Sequence, residues 1–307
     1  MTVAWPSRQS ELARLAAALD EFCKKQHPLL GIRRAAARET LAMQMIASLR
    51  RLDYTRIIKA RSIDPERADP SSPMFDPERA AVLHAKDGRV DEAIWLIFLA
   101  THFGKHGRSG WRRLRDFYSA LGQGRWTWAK VYKNPAQFES WIRLNHEKIG
   151  GAFGNHRKYE SLKPDSAKGI VVVIKSFIDC VEGEPSKWFA ELTRRIGNDP
   201  HKIFDAAYNE LKIFRFGRLA KFDFLALVGR LDLAPISPGS IYLRGATGPL
   251  RGARLLVDGD AKSATGPEEL DNILRFLDQR LNVGMQVMED SICNWQKSPT
   301  KFKHFKG

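Results

Sequence analysis

The sequence predicts an all-α protein, and three observations support that class. Apolar residues recur at helical spacing through most of the 307 residues. Several of these segments begin with proline directly after a capping residue, as in Asn134-Pro135 and Asp199-Pro200. Only residues 170–174 are β-branched enough to indicate a strand, and the helical spacing of the residues that follow suits a buried helix about as well.

The first helix is expected at residues 10–23, where Leu12, Leu15, Leu19 and Phe22 share one face. Further helices are expected at residues 35–52, 77–86, 91–103, 111–121, 135–149, 185–196, 200–213, 217–231, 267–281 and 284–296. The chain is therefore expected to contain many helices joined by loops of varied length.

The loops between these helices define the expected organisation of the chain. Four Asp-Pro or Ser-Pro pairs in residues 64–77 predict an ordered loop or a linker. Long glycine-bearing loops, which often carry functional residues, are expected at residues 104–110, 150–155 and 235–252. We expect N-terminal helices and the Asp-Pro loop over residues 1–76, packed on a larger helical region over residues 77–307.

The composition limits the possible functions. Fifty Lys and Arg against thirty-five Asp and Glu give a net charge of +15, which favours a polyanionic partner such as nucleic acid. The longest apolar run, residues 93–101, is far shorter than the roughly twenty residues of a spanning helix, so a cytoplasmic protein without a membrane partner is expected. The three cysteines form no C-x-x-C pair, which indicates reduced thiols rather than a disulfide framework or a zinc site.

Residues 211–220 contain the most informative local pattern, a short turn ending at Gly217 between two expected helices. A helix-hairpin-helix needs such a glycine, because it lets the backbone approach a DNA phosphate at the start of the next helix. Arg215 and Arg218 would add charged contacts to the same backbone. An ordinary αα-hairpin with a C-capping glycine explains this segment equally well.

Acidic residues at two positions are candidates for chemistry. Asp223 lies beside Leu219 and Ala226 at helical spacing, where an unpaired carboxylate is costly, so it is either paired with an arginine or held for catalysis. In the last helix, Asp290 belongs to a polar stripe and Glu289 lies toward the apolar side. A solvated helix face accounts for that stripe as well.

Two polar loops complete the candidates. His102 and His106 have a spacing that could hold a metal, but no H-E-x-x-H pattern accompanies them, so we expect no metal and place Lys105 near a phosphate instead. Residues 153–159 combine a glycine turn with polar, cationic and aromatic side chains, which suits phosphate contacts and base stacking or a basic surface turn. Phosphate-loop, dinucleotide-binding and nucleophile-elbow motifs are missing, which excludes those enzyme classes.

Four runs of sequence together resemble the alpha-glutamyl/putrescinyl thymine pyrophosphorylase family, in particular its third clade. The runs are WLIFLATHFGKH at 95–106, FGNHRKYES at 153–161, GATGPLRGA at 245–253 and EDSICNWQK at 289–297. The resemblance implies a helix-hairpin-helix DNA glycosylase-like fold, with the hairpin near residues 203–231. The iron–sulfur cysteines of the glycosylase pattern are missing from this sequence, so no cluster is implied and we expect no cofactor.

The resemblance also implies an enzyme that acts on modified double-stranded DNA. Our main expectation is a monofunctional DNA glycosylase that extrudes and excises a hypermodified pyrimidine of phage DNA, as in anti-phage defence. The expected catalytic carboxylates are Asp223 and Asp290, with Glu289 third. The expected DNA contacts are Arg215, Gly217, Arg218, Arg157 and Lys158. The expected base pocket contains His102, Lys105, Asn155, His156 and Tyr159.

Two other functions remain open at this point. The family name implies a group transfer, in which an amine or amino acid displaces pyrophosphate from an activated hydroxymethyl pyrimidine. The third hypothesis is a non-catalytic DNA-binding module in which Asp223 is structural.

Overall fold

Helices provide the regular structure of this protein. The computed structural model describes residues 5–305, which contain fourteen α-helices and no β-strand, as the sequence predicted for the fold class. The helices are α1 (Gln9–Lys25), α2 (Ala35–Ala60), α3 (Pro77–Lys86), α4 (Val90–Phe103), α5 (Arg112–Tyr118), α6 (Trp128–Lys133), α7 (Pro135–Asn145), α8 (Ile170–Cys180), α9 (Pro185–Ile196), α10 (Pro200–Glu210), α11 (Arg218–Arg230), α12 (Gly248–Asp258), α13 (Pro267–Leu281) and α14 (Met285–Trp295).

Several expected elements differ from those observed. Residues 170–174 form the start of helix α8, which decides between the strand and the helix. Helix α6 was not predicted, and α12 begins inside the loop expected at residues 235–252. The helices expected at 111–121 and 135–149 end earlier, at Tyr118 and Asn145, and short 3₁₀ turns follow them.

The helices form two compact units. The first combines Met1–Tyr54 with Pro238–Gly307, and the second is Thr55–Ser237. One boundary therefore falls inside α2, whereas the sequence analysis expected a single boundary after residue 76. The difference arises because the apolar residues of α1 and of the start of α2 share a core with those of α12, α13 and α14, which lie far away in sequence.

The first unit is built around this shared core. Its fully buried members include Leu19, Met45, Leu274 and Trp295. Helices α12 and α14 pack at very short range, since a Cβ atom at Gly252 would lie only 2.4 Å from the carbonyl oxygen of Ile292. The glycines of α12 therefore serve the contact with α14.

The second unit surrounds α4, whose residues from Ala93 to Leu99 are completely buried. Phe98 is its centre, because the rings of Phe177 and Phe216 stack on it at centroid distances of 4.1 and 5.2 Å. This stacking connects α4 with α8 and with the turn before α11. Within residues 5–305, no helix is both long and apolar enough to span a bilayer.

Candidate functional site

Two of the family-like runs meet at the end of α4 in the second unit. The amide of Gly154 donates a hydrogen bond of 2.8 Å to the carbonyl oxygen of Phe103. A Cβ atom at Gly154 would lie 2.9 Å from the carbonyl carbon of Gly104, and Gly104 itself has a φ of +64°. Two glycines therefore allow the loops after Phe103 and after Phe153 to touch backbone to backbone.

Arg157 and Asp223 form an ion pair beside this loop contact. The Arg157 side chain is 11% exposed and its Nε donates 2.7 Å to the carbonyl oxygen of Thr101, while its Nη2 lies 3.6 Å from Oδ2 of Asp223. Burial lowers the pKa of the Arg157 guanidinium, and the carboxylates of Asp223 and Glu160 act in the opposite direction. The pair places a buried cation behind an accessible carboxylate.

The Asp223 carboxylate is more open to solvent than the sequence predicted. Its side chain is 47% exposed, although the sequence analysis expected apolar surroundings. The reason is the orientation of α11, whose buried residues are mainly Phe222 and those from Phe224 to Val228. Leu219, one turn earlier, is also partly exposed and continues the open face. Of the two alternatives for Asp223, pairing with an arginine is the one observed, and Arg157 is the partner.

Arg215 forms a second ion pair with the loop that carries Arg157. Its Nε donates to Oε2 of Glu160 at 2.8 Å and its Nη2 to Oε1 at 3.3 Å, which is the two-pronged geometry of strong arginine–carboxylate pairs. Its Nη2 also donates to the carbonyl oxygen of Tyr159. The Arg215 guanidinium therefore binds acceptors within the protein, and its contact with DNA stays a prediction.

His102 lies close to Arg157 and Arg215, the two arginines of these ion pairs. It is 1% exposed, its ring is parallel to those of Phe98 and Phe216, and its Nε2 has no hydrogen-bond partner among the described residues. Burial, together with the positive charges of Arg157 and Arg215, lowers the pKa of His102 to about 3. The imidazole is therefore neutral near pH 7.

The other predicted base-pocket residues lie at the surface. Lys105 is exposed in a loop whose ends are joined by two backbone hydrogen bonds between His106 and Gly110. The Ser109 hydroxyl of this loop accepts from the amide of Ala152, which connects it with the second loop. The remaining predicted residues of that loop are all exposed, namely Asn155, His156, Lys158 and Tyr159. Together these side chains form a basic surface rather than a closed pocket.

Glu78 is a candidate that the sequence analysis missed. It lies in the first turn of α3, where an acidic residue is ordinary, so its position gives no signal in the sequence. Burial raises the pKa of its carboxyl group, while Arg230, Lys105 and Arg79 act to lower it. A partly buried carboxyl group thus lies near a cation of the first loop.

Asp290 and Glu289 belong to the first unit and have their own neighbours. Asp290 forms an ion pair with Arg51 of α2 and accepts a hydrogen bond of 3.0 Å from Asn294 Nδ2. Lys297 Nζ donates to the side-chain oxygen Oδ1 of Asn294 at 2.8 Å. The predicted polar stripe is therefore a connected line of polar contacts, and Glu289 beside it is buried. Asp223 and Asp290 belong to different units.

Within residues 5–305, no three His, Cys, Asp or Glu side chains are grouped so that they could hold a metal ion. The sequence and the described surface define a basic helical protein with an arginine-paired carboxylate at two family-like loops.

The family of the protein follows from a comparison with known families. The model of alpha-glutamyl/putrescinyl thymine pyrophosphorylase clade 3 matches residues 36–307, and the chain belongs to this family. This confirms the resemblance seen in the four sequence runs. No curated protein and no solved structure matches the chain, so the relationship to helix-hairpin-helix glycosylases has no support from a structural relative.

Proposed function

We propose that this protein is a transferase that modifies thymine derivatives in DNA. An amine or amino acid would displace pyrophosphate from an activated hydroxymethyl pyrimidine. The family description supports this class, because it names thymine, glutamyl and putrescinyl groups and a pyrophosphorylase. It gives no support to base excision, which was our main expectation from the sequence, and so the transfer hypothesis replaces the glycosylase.

The proposed reaction needs a proton acceptor for the amine and positive charges near the pyrophosphate. An uncharged amine nitrogen attacks the methylene carbon of the pyrimidine, the bond from that carbon to oxygen breaks, and the electron pair of that bond leaves with pyrophosphate. The attacking nitrogen must also lose a proton, which a carboxylate can accept. Positive charges near the leaving group stabilise the charge that develops on its oxygen.

The Arg157–Asp223 pair is the observation that carries the proposal. Asp223 is exposed enough for a soluble amine to reach it, and its negative charge also attracts a cationic amine such as putrescine. The buried Arg157 fixes the carboxylate from behind. Lys105 and Arg108, both exposed in the neighbouring loop, are the cations we assign to pyrophosphate. Asp290, which is paired with Arg51, and Glu289 belong to the other unit and are alternatives to Asp223 rather than its partners in this reaction.

The connection between α10 and α11 is the proposed contact with the DNA backbone. Gly217 has an ordinary φ of −70°, and a Cβ atom there would meet nothing within 4 Å. Neither strain nor crowding within the protein explains this glycine, whereas close approach of a phosphate does. Gly217 is the N-cap residue of α11 and has no side chain with which to cap the helix, and Arg218 begins that helix. These features support the helix-hairpin-helix hypothesis.

Product analysis tests the proposal. The purified protein is incubated with duplex DNA that carries a pyrophosphate-activated hydroxymethyl pyrimidine, together with glutamate or putrescine, and the digested DNA is examined by mass spectrometry. Transfer predicts an adduct whose mass equals that of the hydroxymethyl pyrimidine plus the amine minus one water, because the nitrogen replaces the oxygen on the methylene carbon. A free base and an abasic site would overturn the proposal in favour of excision, and unchanged DNA would indicate a binding module.

A further inference from the structure

Three exposed side chains lie near the turn before α11 in the second unit. Tyr159 is 76% exposed, Phe214 43% and Val172 38%. Tyr159 and Phe214 directly precede Glu160 and Arg215, which form the two-pronged ion pair, and Arg215 also donates to the carbonyl oxygen of Tyr159, so the chain segments that carry the two aromatic side chains lie close together. We call these three residues the aromatic patch.

The patch belongs to a rigidly held part of the chain. The amide of Phe214 donates 2.9 Å to the hydroxyl of Ser176 on α8, one turn after Val172. The next residue, Arg215, has a φ of +63°, an unfavourable backbone conformation for a residue with a side chain. Its ion pair and the stacking of Phe216 on Phe98 hold it there. These contacts hold the backbone at Phe214, whose side chain is exposed to solvent.

Positive charge surrounds the patch. Lys158, Lys175 and Lys212 are exposed within two residues or one helical turn of its members, and the Nζ of Lys158 lies 5.1 Å from the centre of the Tyr159 ring. Asp179 is the exposed acidic residue of α8, and the negative charge of Glu160 is compensated by its ion pair with Arg215. An anionic partner with flat apolar groups fits these features best.

We propose that the aromatic patch binds the unpaired bases of a DNA strand by stacking on Tyr159 and Phe214. Base stacking on aromatic rings tolerates any sequence, and neighbouring lysines contact the phosphates of the same strand. A duplex opened at the base to be modified would supply such a strand. The inference deepens the proposed function, on which the identity of DNA as partner rests, and it requires no chemical step.

Binding of unmodified DNA by three variants tests the inference. Phe214→Leu and Tyr159→Leu keep an apolar side chain but remove the aromatic face. Phe276→Leu is the matched control, because Phe276 in the first unit is 44% exposed. Fluorescence anisotropy with a labelled single strand should show about tenfold weaker binding for each patch variant and no change for the control. The fluorescence of 2-aminopurine in the strand should be quenched by the wild type and less by Phe214→Leu.

The outcomes separate this inference from the proposed function. Equal single-strand affinity of wild type, Phe214→Leu and Tyr159→Leu overturns the inference, whether or not the protein transfers amines. Binding of the wild type to anionic vesicles but not to single strands also overturns it. Weakened binding by both patch variants, with melting temperatures equal to the wild type, supports it even where no adduct forms and the transferase proposal fails.

Discussion

A methyl group at Gly154 should separate the two loops of the candidate site. Gly154 has a φ of −59° and a ψ of 161°, which alanine adopts without strain, so the substitution Gly154→Ala tests contact alone. The new Cβ atom would lie 2.9 Å from the carbonyl carbon and 3.0 Å from the Cα of Gly104. Unstrained carbon contacts need about 3.5 Å or more, so the backbones must move apart by roughly 0.5 Å.

The cost of this movement can be derived from similar substitutions. Overpacking of this kind costs about 1–3 kcal/mol of unfolding free energy. A cost of about 2 kcal/mol corresponds to a fall in melting temperature of roughly 4–8 °C for a domain of this size. The movement also shifts Lys105, which follows Gly104, relative to the loop that carries Arg157, so the transfer rate should fall as well.

Thermal unfolding followed by circular dichroism, with transfer assays on the same samples, measures both effects. Gly107→Ala is the matched control, because a Cβ atom at Gly107 meets nothing within 4 Å. The control should melt at the wild-type temperature or slightly above it, since alanine reduces the entropy of the unfolded chain. Equal melting temperatures and activities for Gly154→Ala and Gly107→Ala would refute the close loop contact.

Three further predictions concern charged and titrating groups. Asp223→Asn should lower the transfer rate at least about 100-fold and leave duplex binding unchanged, because a general base acts in the transition state. Asp290→Asn should instead lower the melting temperature, because it breaks the contact with Arg51. Duplex-binding and melting assays on both variants distinguish the catalytic effect from the structural one. Arg218→Ala and Lys158→Ala should each reduce the slope of log affinity against log salt by about 0.9, and unchanged slopes would exclude these phosphate contacts. His102 has a folded pKa of about 3 against 6.5 when unfolded, so the unfolded chain binds the proton first as pH falls. Unfolding free energy should therefore decrease by up to about 1.4 kcal/mol per pH unit between pH 6.5 and 3, and His102→Phe should flatten that decrease in denaturant titrations.

The sequence predicted helices best where local signals and packing agree. Helices α3, α9 and α13 have the predicted bounds, because each begins with proline at its first position and shows apolar residues at helical spacing. Helix α12 was missed because Gly248 and Gly252 indicate a loop by propensity. These two glycines are needed for the close contact with α14, where no side chain would fit. A single sequence cannot reveal such a contact between distant segments.

The candidate site was predicted in its residues but less well in its arrangement. Local patterns identified Asp223, Arg157 and Arg215 as polar residues of interest. Their pairings join residues 66 and 55 positions apart, Arg157 with Asp223 and Arg215 with Glu160, which helical spacing cannot predict. Burial also depends on tertiary packing, so the exposure of Asp223 was missed. Glu78 was missed because an acidic residue at a helix start is ordinary.

The release of pyrophosphate, measured together with adduct formation, distinguishes amine transfer from every other reaction considered for this protein. Duplex DNA with a pyrophosphate-activated hydroxymethyl pyrimidine is incubated with the wild type or Asp223→Asn, with and without an added amine, and free pyrophosphate is measured beside the adduct. Amine transfer with Asp223 as proton acceptor predicts one pyrophosphate released per adduct with the wild type. It predicts almost no pyrophosphate release without the amine, and almost none with Asp223→Asn. Pyrophosphate release that is independent of the amine, or adduct formation by Asp223→Asn at the wild-type rate, would contradict it.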